Sequence, residues 1–178
     1  EHPRFCRKAD ETNAAASFGS RVLGGDVKYK YAHAYFGVRF LTAMTNDIDP
    51  IERVITVEDT PELQLPHLPN WVGLVTREKG ESVESVTMAD NVRHCLRMRP
   101  KRILLGEARG PEMIAILEAM NTGHDGCMFT VHADDAYRTL QRMETLYLKG
   151  GMGNVPMLAI RREISQALQL VVNIGVFR

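Results

Sequence analysis

Apolar residues in this chain fall into two kinds of short block, and from about residue 38 onward the two kinds alternate. Runs rich in β-branched and aromatic residues predict strands at 53–57 (Arg-Val-Ile-Thr-Val), 71–76 (Trp-Val-Gly-Leu-Val-Thr), 103–105 (Ile-Leu-Leu), 127–131 (Cys-Met-Phe-Thr-Val) and 170–174. Between them, apolar residues recur at helical spacing. Val92, Cys95, Leu96 and Met98 follow a Thr87 cap, and Met113, Ile114, Ile116, Leu117 and Met120 follow Pro111. Leu140, Met143, Leu146 and Tyr147 follow a cap at Asp134 or Asp135, and Leu158, Ile160, Ile164 and Leu168 follow Pro156. The apolar segment 40–44 predicts one more helix, broken by Asp49-Pro50.

Breakers divide these elements. Pro61, Pro66 and Pro69 exclude a helix between the first two strands, Pro100 stops the helix before it, and Gly123 suits a left-handed cap. The strands are continuous apolar runs rather than alternating ones, which predicts a mostly parallel sheet covered by helices on both faces, the α/β class. Before residue 38 the periodicity fades, and the only element read there is a short strand near 29–35. The chain therefore divides into an atypical stretch, 1–37, and a core domain, 38–178.

Composition adds little to that picture. The 178 residues are 44% hydrophobic and 25% charged, an ordinary composition for one globular core. Lys plus Arg equals Asp plus Glu at 22 each, so no global field draws the chain to nucleic acid or to an anionic membrane. No apolar run approaches a membrane-spanning length, and membrane association is expected only through partners. Cys6, Cys95 and Cys127 are widely spaced and form no C-x-x-C pair, which argues against a disulfide framework or zinc knuckle and for a reducing, cytoplasmic setting. The run Arg93, Arg97, Arg99, Lys101 and Arg102 suits a solvated face or a subunit contact; with few aromatics near it, direct nucleic-acid binding is not expected.

The candidate chemistry lies where the strands end. Glu58, Asp59 and Thr60 follow the first predicted strand, Gly106, Glu107 and Arg109 the third, and His132 the fourth. In a parallel α/β sheet the ligand site lies at the carboxyl ends of the strands. Any one of these acids suits an N-cap or a turn. Together they suit a site that holds Mg²⁺ with substrate phosphates and orients an attacking water. A zinc reading built on His124 and His132 lacks a ligand framework.

Three stretches then carry a specific resemblance. They are Arg53 to Leu63 (RVITVEDTPEL), Met98 to Gly110 (MRPKRILLGEARG) and Asn121 to Ala133 (NTGHDGCMFTVHA). In order and spacing they resemble the Asp box, Walker B motif and His box of the type II/type IV secretion ATPase superfamily, over about residues 40 to 178. The pair of stretches Gly-His-Asp-Gly (123–126) and Thr-Val-His-Ala (130–133) is similar to the type IV secretion, conjugation and tight-adherence pilus branch.

The resemblance implies a RecA-like P-loop NTPase core and a motor ATPase that couples ATP hydrolysis to protein export, conjugation or pilus assembly. It implies ATP and Mg²⁺ as cofactors. It also implies a homohexameric ring with a separate N-terminal domain, working against inner-membrane secretion or pilus components. By it, Glu107 is the Walker B carboxylate beside Mg²⁺ and the attacking water. Glu58 helps polarise that water, Asp59 supports the metal shell through water, and His132 senses the γ-phosphate. Arg77, Arg99 and Arg109 are assigned to phosphate or inter-subunit contacts.

One part of the family pattern is absent. A P-loop has the form G-x-x-x-x-G-K-[ST], whose backbone N–H groups cradle phosphates, and this string does not occur in the sequence. In relatives the loop lysine precedes the Asp-box acid by about 21 residues, which points to Gly37 in this chain. ATP hydrolysis by this chain is therefore expected to be weak or absent. Two other roles stay open: a non-hydrolysing or truncated homologue that joins the ring as an assembly subunit, and a nucleic-acid motor of the same fold.

Overall fold

A strand satisfies its backbone N–H and C=O groups only through neighbours. The Val54–Glu58 run (β1) finds one on each side in the computed structural model, which describes residues 32–151 and 154–174. Trp71–Val75 (β2) pairs with it on one side and Arg102–Leu105 (β3) on the other; Met128–Phe129 (β4) pairs with the far edge of β3. All pairings are parallel, in the order β2-β1-β3-β4. The register sets Val54 opposite Arg102 and Val57 opposite Leu105, so β1 and β3 run side by side and end at one level.

Parallel strands need crossovers, and most of these are helical. Ala32–Met44 (α1) precedes β1, Met88–Cys95 (α2) lies between β2 and β3, and Glu112–Asn121 (α3) links β3 to β4. Ala136–Lys149 (α4) and Met157–Ala167 (α5) follow. The proline-rich connection between β1 and β2 is not helical, yet it buries Leu63, Leu65 and Leu68.

Alternation along the strands sends side chains to both faces. Ile55, Val57, Ile103 and Leu105 join the larger core with Val92 and Cys95 of α2, Met113, Ile116 and Leu117 of α3, Met143 and Leu146 of α4, and Ile160 and Ile164 of α5. Val54 and Leu104 meet Leu41 of α1, Ile48 and the three leucines of the β1–β2 connection on the opposite face. The sheet is thus covered on both sides, as the continuous apolar runs predict.

Local signals hold where they are strongest. Thr87 caps α2 in a reciprocal capping box with Asp90, and the Asp135 side chain accepts from the Arg138 N–H to cap α4. Gly123, just past α3, has φ +99°, which a side chain would strain. Cys95 and Cys127 are free and buried, with burial pushing their thiols up to about 12 and about 11, as befits core packing rather than reactivity. The amino ends of the strands are stitched together: Arg53 Nε donates to Met98 O at 2.8 Å, Lys101 N to Arg53 O at 2.8 Å, and Arg102 pairs with Glu52.

Elsewhere the structure departs from the pattern. Of the strand expected at 29–35, residues 29–31 lie outside the described region, and from Ala32 the chain is helix. Ala32 and Ala34 favour a helix, and extending one continuous with the apolar 40–44 segment adds a hydrogen bond per residue. Positions 37 and 38 lie inside this helix. The 127–131 strand shortens to two residues, Met128 and Phe129, which pair with Leu104 and Leu105 of β3. Residues 170–174 form no strand: no described strand lies beside them, and Leu170, Val172 and Ile174 remain exposed. Leu158, expected to face inward, is 80% exposed, because α5 turns Ile160 and Ile164 to the core instead.

These burial differences predict opposite outcomes for two truncations. Ile116→Ala, at a fully buried site on α3, is expected to cost about 2–5 kcal/mol in a denaturant titration. Leu158→Ala is expected to change stability by less than ~0.5 kcal/mol.

Candidate functional site

The site grows out of the strand register. Because Val57 and Leu105 are partners, the next residues, Glu58 and Gly106, meet at the carboxyl end of the sheet. The Gly106 N–H donates to Val57 O at 2.9 Å, and a Cβ on Gly106 would stand 3.1 Å from Glu58 Cγ. Only a residue without a side chain lets the Glu58 carboxyl lie over that turn without displacement.

Glu58 shares the face of β1 that carries Val54 and Thr56, and it is 4% exposed. Its Oε1 accepts the N–H groups of Glu62 and Leu63, each at 3.0 Å. Burial raises its proton affinity above the usual carboxylate range, and the two backbone donors pull the other way without cancelling it.

β4 supplies the third side. Thr130 Oγ1 donates to Gly106 O, and Ala108 N donates to Thr130 O at 2.9 Å, which ties the segment after β3 to the end of β4. His132 then comes to Glu107: its Nε2 lies 3.4 Å from Glu107 Oε2. Arg109 joins the acids, with Nη2 2.6 Å from Glu107 Oε2 and Nη1 2.8 Å from Asp59 Oδ2. The hydrogen bond to Glu107 is the main reason its guanidinium holds its proton more tightly than an ordinary arginine; the charges of Glu107 and Asp59 add to it.

The structure thus brings Glu58, Asp59, Glu107, Arg109 and His132 to one end of the sheet. Gly37 approaches the same end from α1, where a Cβ would stand 3.2 Å from Thr130 Cγ2. Two arginines are not paired with these acids among the described residues. Arg77 bonds to the loop that follows β2, through Nε to Glu84 O and an isolated antiparallel bridge to Val86. Arg99 sits in a left-handed conformation (φ 53°) ahead of β3, at the opposite end of the sheet from Glu107. It is exposed and unpaired with the acid cluster among the described residues.

Two residues of the site are given no role by the motif reading. Thr130 lies inside the His-box stretch, where only His132 is assigned a task. Glu112 carries only a faint signal, an acid in the first turn of a helix; in the structure it is buried and holds the Arg109–Gly110 turn.

Among the described residues, no three or more His, Cys, Asp and Glu side chains form a metal cage. Two carboxylates, Asp59 and Glu107, share one guanidinium. Such a donor set fits a hard cation that brings phosphate and water as its other ligands, the manner in which Mg²⁺ is usually held.

Residues 39–176 match the family described as Type II/IV secretion system protein. The chain belongs to that family. Its relatives include a putative conjugal transfer protein of Mycobacterium tuberculosis, 40% identical over 136 residues, covering 76% of this chain and 38% of that protein. A type IV secretion system protein VirB11 of Brucella suis is 36% identical over 137 residues, with 75% of this chain and 38% of the relative covered. The crystal structure of the VirB11 ATPase from the Brucella suis type IV secretion system, solved in complex with sulphate, superposes with a TM-score of 0.67 at 35% identity. It covers 74% of this chain and 38% of that one. The chain therefore spans well under half the length of these secretion proteins, and within that span it has their α/β fold. No helix among the described residues is long and apolar enough to cross a membrane.

Glu58 makes a pH-dependent prediction. A carboxyl whose proton affinity is higher folded than unfolded stabilises the fold less once the pH passes its unfolded value, because the unfolded chain ionises first. Glu58→Gln retains an oxygen for the Glu62 and Leu63 donors but carries no charge. It is expected to raise the Tm at pH 7, and the gain is expected to shrink as the pH falls to the ordinary carboxylate value of 4.5 and below. A Tm difference independent of pH contradicts the assignment of burial as the cause.

Proposed function

We propose that this chain is the nucleotide-binding core of a motor ATPase of a secretion, conjugation or pilus-assembly machine, built as a ring of identical subunits. The observation that carries the reading is the convergence of Glu58, Asp59, Glu107 and His132 at the carboxyl ends of neighbouring parallel strands, in a member of the secretion family. The related VirB11 ATPase crystallised in complex with sulphate, a tetrahedral oxyanion, and this agrees with a fold that receives phosphate groups.

In this reading each group has a distinct task. Glu107, with Asp59 behind it, would hold a cation through its water shell and orient an attacking water. Glu58, buried and with raised proton affinity, polarises that water and is suited to accept its proton. His132 touches Glu107 and reports phosphate occupancy to the segment that follows β4. Mg²⁺ supplies charge neutralisation on the phosphate oxygens when bound. Arg109 would yield the acids to a bound cation and be free to face phosphate, and Arg77 and Arg99 would serve contacts between subunits. The ring sits on the cytoplasmic side of an inner membrane through its partners.

Hydrolysis is limited by what position 37 lacks. A lysine and a hydroxyl after a glycine-rich turn are the groups that grip the β- and γ-phosphates, and this chain has Gly37 and Val38 there, inside α1. The expected result of a steady-state phosphate-release assay is turnover at or near background. Robust turnover abolished by Glu107→Gln contradicts the role given to the missing loop. The alternative of an assembly subunit without hydrolysis is supported by the same missing loop. Sizing with and without ATP separates the two: ATP-driven assembly supports the motor core, and assembly indifferent to ATP with no nucleotide binding supports the subunit.

A further inference from the structure

Glu112 has no place in the three family boxes, yet it is among the few buried charged side chains in the described residues, 6% exposed. Both of its strong contacts are made by one oxygen. The Arg109 N–H donates to Glu112 Oε1 at 2.5 Å and the Gly110 N–H donates to the same atom at 2.6 Å. The turn they close contains Gly110, where a Cβ would come 3.3 Å from Glu112 Oε2, so the carboxyl folds back against a residue that leaves room for it. Glu112 also opens α3, where the free N–H groups of a helix start favour negative charge.

The arrangement resembles one half of a capping box, an acid reaching back to the donors that precede its helix. It differs in what lies on the other side of those donors. Arg109, whose N–H is held, is the residue whose guanidinium bridges Glu107 and Asp59. An arginine side chain that is 59% exposed loses entropy when it sits in a two-carboxylate bridge, and it reaches that bridge reliably only if its backbone is fixed. Charge-assisted hydrogen bonds to two consecutive amides fix it.

We infer that Glu112 is a positioning residue: its carboxylate clamps the Arg109–Gly110 turn and so aims the Arg109 guanidinium between Glu107 and Asp59. The inference rests on the proposed nucleotide site for its purpose, since the bridge it sets holds the two acids that would face the cation. The clamp itself is a matter of geometry within this chain.

The test follows the amides and the guanidinium by NMR on the isotopically labelled chain, in wild type, Glu112→Ala and Glu112→Gln. Glu112→Ala is expected to speed exchange of the Arg109 and Gly110 amides roughly tenfold or more and to return the Arg109 Nε–Hε signal to that of a solvent-exposed arginine. Glu112→Gln keeps an oxygen at the same place and is expected to restore much of both signals. Ile116→Val, a mild core change, serves as the control for general loosening and is expected to leave the Arg109 Nε–Hε signal unmoved. The inference is overturned if the two amides exchange alike in wild type and Glu112→Ala. It is equally overturned if the Arg109 signal persists without Glu112 or is lost in the control. Should Glu112→Ala fail to fold, Glu112→Asp decides: its carboxylate is one methylene too short to reach both amides, so faster exchange at Arg109 and Gly110 and a weakened Arg109 Nε–Hε signal are expected, and unchanged signals overturn the inference. None of these readouts involves nucleotide or cation, so a wild-type chain that binds neither refutes the nucleotide reading and leaves the clamp to be judged on its own signals.

Discussion

The pairing of β1 with β3 sets the level at which everything else in the site stands. With Val57 opposite Leu105, the chain leaves both strands at the same height, and Glu58, Asp59, Gly106 and Glu107 emerge together. A slip of one residue would turn the apolar side chains of β3 to the wrong face as well as separate the acids, so the core that buries Ile103 and Leu105 also enforces the site. The stitched amino ends, through Arg53, Lys101 and Glu52–Arg102, hold that register from the far side. Packing on two faces and chemistry at one end follow from a single constraint.

At that end the structure solves a charge problem. Glu107 is only slightly exposed and Asp59 is close enough to share a partner, so two carboxylates face the same small space. Arg109 neutralises them, His132 stands by Glu107, and backbone donors hold Glu58. A cation arriving with phosphates would take over the role that Arg109 plays. The acids are thereby held together by this chain's own groups, the preorganisation on which the proposed phosphate-cation site would rely.

Much of this was legible in the sequence, and the reasons are local. Thr87, Asp135, Gly123 and the prolines after β1 are punctuation whose physics acts within a few residues, and the structure follows them. The four strands were legible as apolar runs rich in β-branched and aromatic residues; β1 and β3, in the middle of the sheet, are the buried ones, and β2 and β4 form its edges. Glu58, Glu107 and His132 were legible because they follow such runs. What failed depended on distant partners. Residues 170–174 have the right composition, but a strand is a relation between two segments and no described neighbour pairs with them. Ala32 to Phe36 joined a helix that starts earlier than its apolar face suggests. Glu112 and Thr130 act through hydrogen bonds to backbone atoms, which leave almost no trace in composition or spacing.

Family membership and the strand-end cluster support one another, and in the proposed reading the residues at 37 and 38 separate binding from turnover. The central claim is that the acids gathered by the β1–β3 register form the cation and phosphate site. Paramagnetic broadening by Mn²⁺ added with ATP tests it most directly. The account predicts selective loss of the amide signals at residues 58–60 and 106–109, with the rest of the spectrum sharp. Broadening centred elsewhere, such as on the exposed acids Asp134 and Asp135, with the strand ends untouched, would contradict it.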